Sequence, residues 1–332
     1  MSKVVPFKEL VILCGLPRSG TTWLGKILDS HPDTLYLHEP DSNKRISDIP
    51  LLPELDDFEA ISDRIIDFSI NIHEIRDPKV RASIPVFRKS HHTFLGYLYS
   101  KAMILSTKTL SRYISNIEVP VSALKYDTSR SHIVWKSIES LGRLGIIYRS
   151  IPGVRIIHVV RHPCGYIASV QRGERQGKFG DSMKTSEDYD LLKMLTNTRV
   201  AKNYGLNTRN LMSMTPEERL AWRWVIFNDK ALLDLEGEAR YSLISYEHFC
   251  GTPTKCAHDL FTFCDLSWDS QTDKFVEEST RAQKRGYYSI TKDPNITANS
   301  WEMELDDRQI SNVISVAMQS ETWKRLEKFY ND

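Results

Sequence analysis

Short apolar runs, rich in β-branched residues and bounded by polar or helix-breaking positions, recur along the chain: Glu9–Cys14, Thr34–Leu37, Ile133–Trp135, Arg155–Val160 and Tyr241–Ser245. They predict five strands. Several are apolar on both faces, the pattern of a parallel sheet covered by helices on each side. Between and after them a helical period runs through Thr21–Asp29, Ser137–Arg149, Pro163–Gln171, Pro216–Leu235, Pro253–Cys264 and Arg308–Phe329. Thr215-Pro216-Glu217-Glu218 is a helix start, with a capping hydroxyl, proline in the first turn and acids near the positive helix end. Alternating strands and helices predict a doubly wound α/β fold of three layers around a parallel sheet of about five strands, with ligands at the carboxyl ends of the strands.

Asp41–Ser131, charged and mostly helical, and Gly173–Thr215, polar and rich in Gly, Lys and Asp, fall outside this alternation. Both read as insertions (41–131 and 173–215) on the substrate side of a single domain spanning 1–332, or else as plain surface structure. Forty-four basic against forty-three acidic residues leave a net charge of +1. Nucleic acid and anionic membranes are therefore not expected partners, and any anion site must be local. No segment reads as a signal peptide or a membrane span. The five cysteines never fall in a C-x-x-C pair, which predicts neither disulfides nor a zinc site and fits a reducing, cytoplasmic compartment. Cys250, Cys256 and His258 share a stretch with Phe261 and Phe263 that reads as core packing. The C-terminal helix is expected to pack on its own sheet, and oligomeric state leaves no signature.

The chemistry concentrates in Gly15-Leu16-Pro17-Arg18-Ser19-Gly20-Thr21-Thr22-Trp23, directly after the first strand. G-x-x-x-x-G between a strand and a helix aims backbone N–H groups and a helix N-terminus at a phosphate-like anion, as in P-loop nucleotide-binding folds. A nucleotide hydrolase continues G-K-[ST], whereas here Thr21 replaces the lysine and the cation is Arg18 inside the turn. A fixed guanidinium among hydroxyls suits a transfer in which side chains neutralise a bridging oxygen without a required metal.

This loop resembles the 5′-phosphosulfate loop of sulfotransferases that use 3′-phosphoadenosine 5′-phosphosulfate (PAPS). Its arginine is more like the carbohydrate and protein-tyrosine branches than the cytosolic small-molecule branch. "VRIIHVVRHPCGYIASVQRG" is similar to the family's 3′-phosphate motif, with Arg161 ending a strand and Ser169 two helical turns beyond Pro163. The resemblance implies donor contacts from Pro17, Arg18, Ser19, Gly20, Thr21, Thr22, Trp23, Arg161 and Ser169. Tyr246 and the basic loop Arg285, Gly286, Ser289 and Lys292 would close over the nucleotide, although Arg285 and Lys292 also read as surface charges. Trp23 and Trp135 read as core or adenine-side packing.

Transfer to a hydroxyl needs a base and cations on the leaving oxygen. "TLYLHEP" places His38 and Glu39 at the end of the second strand, and Glu39 matches the glutamate of the protein-tyrosine branch. Glu39 is the preferred base and His38 the competitor; alternation along a strand would let only one of them face the site. Lys136 of "HIVWKS" resembles the lysine set beside the transferred group, and with Arg18 it is expected to stabilise the leaving oxygen. The resemblance implies a sulfated carbohydrate or other hydroxylated small molecule and adenosine 3′,5′-bisphosphate (PAP) as products. A P-loop kinase or a non-catalytic nucleotide-binding regulator are the competing readings.

Overall fold

The computed structural model describes residues 9–42, 45–124, 131–177, 184–281 and 294–330. Its sheet has five parallel strands, β1 (Glu9–Cys14), β2 (Thr34–His38), β3 (His132–Ser137), β4 (Arg155–Val160) and β5 (Tyr241–Ser245), in the order β2-β3-β1-β4-β5. Val11 to Cys14 are all fully buried, which suits the central strand of a sheet covered on both faces. Because β1 lies between β3 and β4, a crevice opens at its carboxyl end, where ligands bind in doubly wound folds.

Between β1 and β3 lie α1 (Thr21–Ser30), α2 (Phe58–Asn71), α3 (Pro78–Arg81) and α4 (Phe94–Leu110). β3 leads to α5 (Leu144–Ser150) and β4 to α6 (Pro163–Arg175). Before β5 come α7 (Tyr189–Asn197), α8 (Arg199–Asn203), α9 (Thr208–Ser213) and α10 (Pro216–Leu235). After it come α11 (Tyr246–Gly251), α12 (Pro253–Phe263), α13 (Ser270–Arg281), α14 (Pro294–Asn299), α15 (Asp307–Ala317) and α16 (Glu321–Leu326). Alternate strand residues supply the two cores. Ile12, Trp135 and Ile156 pack with α5, α6, α10 and α15 on one face. Leu13, Val134 and Ile157 pack with α1, α11, α12 and α13 on the other. The three-layer α/β fold expected from the sequence is therefore the observed one.

Two predicted helices are corrected. Over Ser137–Arg149 the chain first completes β3 and then turns, because the Ser137 hydroxyl accepts from the amides of Glu139 and Ser140 (3.1 and 2.9 Å), and the α-helix begins only at Leu144. Arg308–Phe329 is two α-helices, α15 and α16, because Ser320 caps the second by accepting from the Trp323 amide at 3.1 Å. Within 41–131, α2 packs on α5 and α3 on the edge strand β2, while α7 and α8 pack on α10. No helix among the described residues is long and apolar enough to cross a membrane.

Candidate active site

The loop from Gly15 to Gly20 leaves the end of β1 and turns into α1. Gly15 passes so close to β4 that a Cβ there would lie 2.3 Å from the Val159 carbonyl oxygen. Gly20 ends the turn at φ +88°, and no side chain caps α1, so the helix N-terminus faces the crevice. Arg18 is also left-handed, at φ +76°. For a residue with a Cβ that conformation costs on the order of 1–2 kcal/mol, and it sets the guanidinium in the crevice.

The two predicted anion motifs converge. Arg18 Nε donates to Ser169 Oγ of α6 at 3.0 Å, and Arg161 Nη1 donates to the Arg18 carbonyl at 3.2 Å. Arg161 is buried, its guanidinium carbon 5.2 Å from the Tyr246 ring centroid. Its carbonyl accepts from the Trp224 indole at 2.8 Å, and its Nη2 donates to the Thr297 carbonyl at 2.6 Å. Arg161 Nε is buried without a hydrogen-bond partner among the described residues. A buried orphan guanidinium N–H beside a helix N-terminus and a glycine turn fits an anionic nucleotide group. Ser19 and Thr21 are buried in the turn, and Pro17 and Thr22 complete it.

Trp23 lies beneath the loop, packed edge-on to Tyr246 and Phe249, and donates to Ser279 Oγ at 3.0 Å. Trp135 is core, beside Phe68. Arg285, Gly286, Ser289 and Lys292 lie outside the described residues. His258 stacks on Trp268, and among the described residues no group of His, Cys, Asp and Glu could hold a metal ion.

Across the crevice, strand register sets His38 beside Lys136, and the Glu39 amide donates to the Lys136 carbonyl at 2.8 Å. The Lys136 ammonium, almost fully buried, pairs with Glu39 Oε1. Glu39 sits at φ +50°, so strand alternation ends at His38 and both side chains face the same space, with His38 Nε2 3.7 Å from Glu39 Oε1. The expectation that only one of them would do so is corrected. Burial pushes the Glu39 carboxyl up, but Lys136 and His38 outweigh it and hold it below its usual value. Burial, and then the Lys136 charge, push His38 down to about 4, which leaves it neutral at pH 7.

Sequence reasoning missed several supports. Asp41, fully buried, accepts from the hydroxyls of Ser137 and Ser140 and so ties the segment after Glu39 to the turn after Lys136. Glu247, half-buried beside Arg161, accepts from the His162 amide at 2.9 Å; desolvation pushes its carboxyl up. His162 stacks on Trp301, 4.7 Å between centroids. Neither Asp41 nor Glu247 stands in a motif, but each lies one or two residues past a predicted site residue.

The chain matches the Sulfotransferase family over residues 11–270. It is similar to carbohydrate sulfotransferase 1 of Mus musculus, 21% identical over 326 aligned residues that cover 90% of this chain and 74% of the relative. The Rattus norvegicus protein of the same name matches equally, at 21% identity. Among solved structures it is similar to the sulfotransferase domain of the Synechococcus PCC 7002 olefin synthase, with 16% identity, TM-score 0.45 and coverage of 94% of each chain. It is also similar to mouse SULT7A1 complexed with PAP, with 13% identity, TM-score 0.44 and coverage of 98% and 91%. With a family match that spans most of the chain, from within β1 to beyond β5, the protein belongs to the sulfotransferase family and is an enzyme of sulfuryl transfer.

Proposed function

We propose that the protein transfers the sulfuryl group of PAPS to a hydroxyl of a carbohydrate or another hydroxylated small molecule. The observation that carries this is the convergence of Arg18, Ser169 and Arg161 at the ends of β1 and β4, with the Glu39–Lys136 ion pair at the ends of β2 and β3. The amides at the start of α1, Arg18, Ser19, Thr21 and Thr22 would hold the 5′-phosphosulfate, and Arg161 and Ser169 the 3′-phosphate. Tyr246 carries the Arg161 guanidinium on its ring face. The carbohydrate sulfotransferases among the relatives support the choice of a sugar hydroxyl. The segments 41–131 and 173–215 are read as the acceptor side of one domain. The five free cysteines fit a cytoplasmic site of action, and near-neutral net charge fits a small acceptor in place of nucleic acid.

When bound, PAPS supplies the sulfuryl group, and its S–O bond to the 5′-phosphate breaks as the acceptor oxygen bonds to sulfur. Glu39, held ionised, takes the acceptor's proton. Lys136 and Arg18 neutralise the charge left on the bridging oxygen, so no metal is required of the protein. As Lys136 turns toward that oxygen its grip on Glu39 weakens, and the carboxylate becomes a stronger base when the proton is moved.

Calorimetry of PAP binding in EDTA, against ATP with magnesium, tests this reading on the wild type and on Arg18→Ala and Arg161→Ala. Metal-independent PAP binding, weakened at least about 10-fold in both variants, is expected. Preference for magnesium and ATP would return the loop to the kinases. Glu39→Gln is expected to bind PAP normally and to lose about 100-fold or more in turnover.

A further inference from the structure

Tyr36 and His38 stand two residues apart on β2 and so share one side of the strand. The Tyr36 hydroxyl lies 2.9 Å from His38 Nδ1. Tyr36 is 5% exposed, and among the described residues its hydroxyl has no other hydrogen-bond partner. Burying a donor without an acceptor costs about 1–3 kcal/mol, and Nδ1 is the acceptor in reach, so the phenol donates to it. Burial and the carboxylates of Asp29 and Glu39 push the phenol's ionisation well above its ordinary value, so the proton is there to donate. With Nδ1 accepting, the neutral ring carries its own proton on Nε2, the nitrogen 3.7 Å from Glu39 Oε1.

We infer that His38 turns a protonated Nε2 toward the Glu39 carboxylate and does not act as a base, and that Tyr36 is the positioning residue that sets its tautomer. A base would need a lone pair at Nε2, and the Tyr36 contact places a proton there. Lys136 and His38 both address Oε1, which leaves Oε2 as the oxygen for the acceptor's proton. This inference rests on the reading of Glu39 as the base. Two further features hold the arrangement. Gly25 of α1 keeps the phenol's seat open, since a Cβ there would lie 2.7 Å from the Tyr36 ring. Among the described residues, the charged groups that weigh most on His38 are Lys136 of β3, Glu39, Lys26 of α1 and Lys108 of α4, a balance that disfavours an imidazolium.

The test is a long-range proton–nitrogen correlation spectrum of the full chain labelled with 15N-histidine, at pH 7, with His38 assigned by its loss in His38→Gln. A neutral ring protonated at Nε2 with Nδ1 accepting is expected, and Tyr36→Phe should convert it to a mixture of tautomers. An Nδ1-protonated ring or an imidazolium in the wild type would overturn the inference. Kinetics supply a second arm: Tyr36→Phe should lower kcat about fivefold with the KM for the donor unchanged. His38→Gln, whose amide N–H replaces Nε2–H, should retain about 10-fold more turnover than His38→Ala; equal loss in both would make His38 the base. Full turnover in Glu39→Gln would instead sink the base assignment under Proposed function, while the spectrum still decides the tautomer.

Discussion

Gly20 meets two demands that no other residue satisfies. Its φ of +88° is open to glycine, and a Cβ there would lie 2.2 Å from the Tyr246 ring, the same ring that carries Arg161. Gly20→Ala should therefore cost about 2 kcal/mol or more of stability and weaken PAP binding at least about 10-fold, read by urea denaturation and calorimetry. Unchanged binding would show that Tyr246 does not transmit the loop's shape to Arg161. The glycine spacing was legible in the sequence because a strand, a tight turn and a helix start leave a fixed signature. The direction of Glu39 was not, since alternation holds only inside a strand and the left-handed step at Glu39 lies just beyond it. Tyr36 was equally hidden: as an apolar strand position it reads as core, and only its hydroxyl contact gives it a role.

At the scale of elements, α1 is fastened to the segment before α4 by a buried charge cluster that the sequence disguises as an ordinary polar helix face. Lys26, with no exposed surface, pairs with Asp29 and donates to the Pro85 carbonyl at 2.6 Å. Lys89 donates to Asp29 Oδ1 at 3.0 Å and to the His31 carbonyl at 3.1 Å. Burial pushes the Lys26 ammonium down; it pushes Asp29 up, but the two lysines outweigh it and hold the carboxyl low. Asp29→Asn leaves two cations without a counter-charge and should cost about 3–5 kcal/mol in urea denaturation. Lys26→Met leaves Asp29 paired with Lys89 and should cost less than half as much; equal costs would mean that the cluster acts by packing and not by charge. The same disguise misled the reading of Ser137–Arg149, where helical periodicity was present but the Ser137 hydroxyl and buried Asp41 imposed a turn.

For the whole molecule, strand composition and the alternation with helices were enough to read the layers, because a parallel sheet covered on both faces leaves few alternatives. How the peripheral helices attach was not legible. Asp229 of α10 is fully buried and accepts from the Tyr204 hydroxyl, from Ser320 Oγ at 2.6 Å and from the Thr322 amide at 2.9 Å, so one carboxylate joins 173–215, the central helix and the C-terminal helix. Polar groups sealed in this way also make the fold sensitive to acid. Burial pushes His38 and His158 down to about 4, and burial with the Arg161 charge pushes His162 down to about 3, all from 6.5. In the unfolded chain these rings take up protons as pH falls below 6.5, whereas the native state resists until about 4, so stability must fall with pH across that window. These three alone give a slope of about 4 kcal/mol per pH unit, and His31 and His92, also pushed down by burial, act in the same direction. Glu247, Asp234 and Glu139, all raised by burial, take up protons earlier in the native state than in the unfolded one and offset part of it. A net loss of about 2 kcal/mol per pH unit between pH 6 and 4.5 is expected from urea denaturation at several pH values. A stability that held level or rose over that interval would mean either that the raised carboxyls outweigh the histidines or that the rings are already charged in the native protein, and the 15N-histidine spectrum of His38 at pH 7 separates the two.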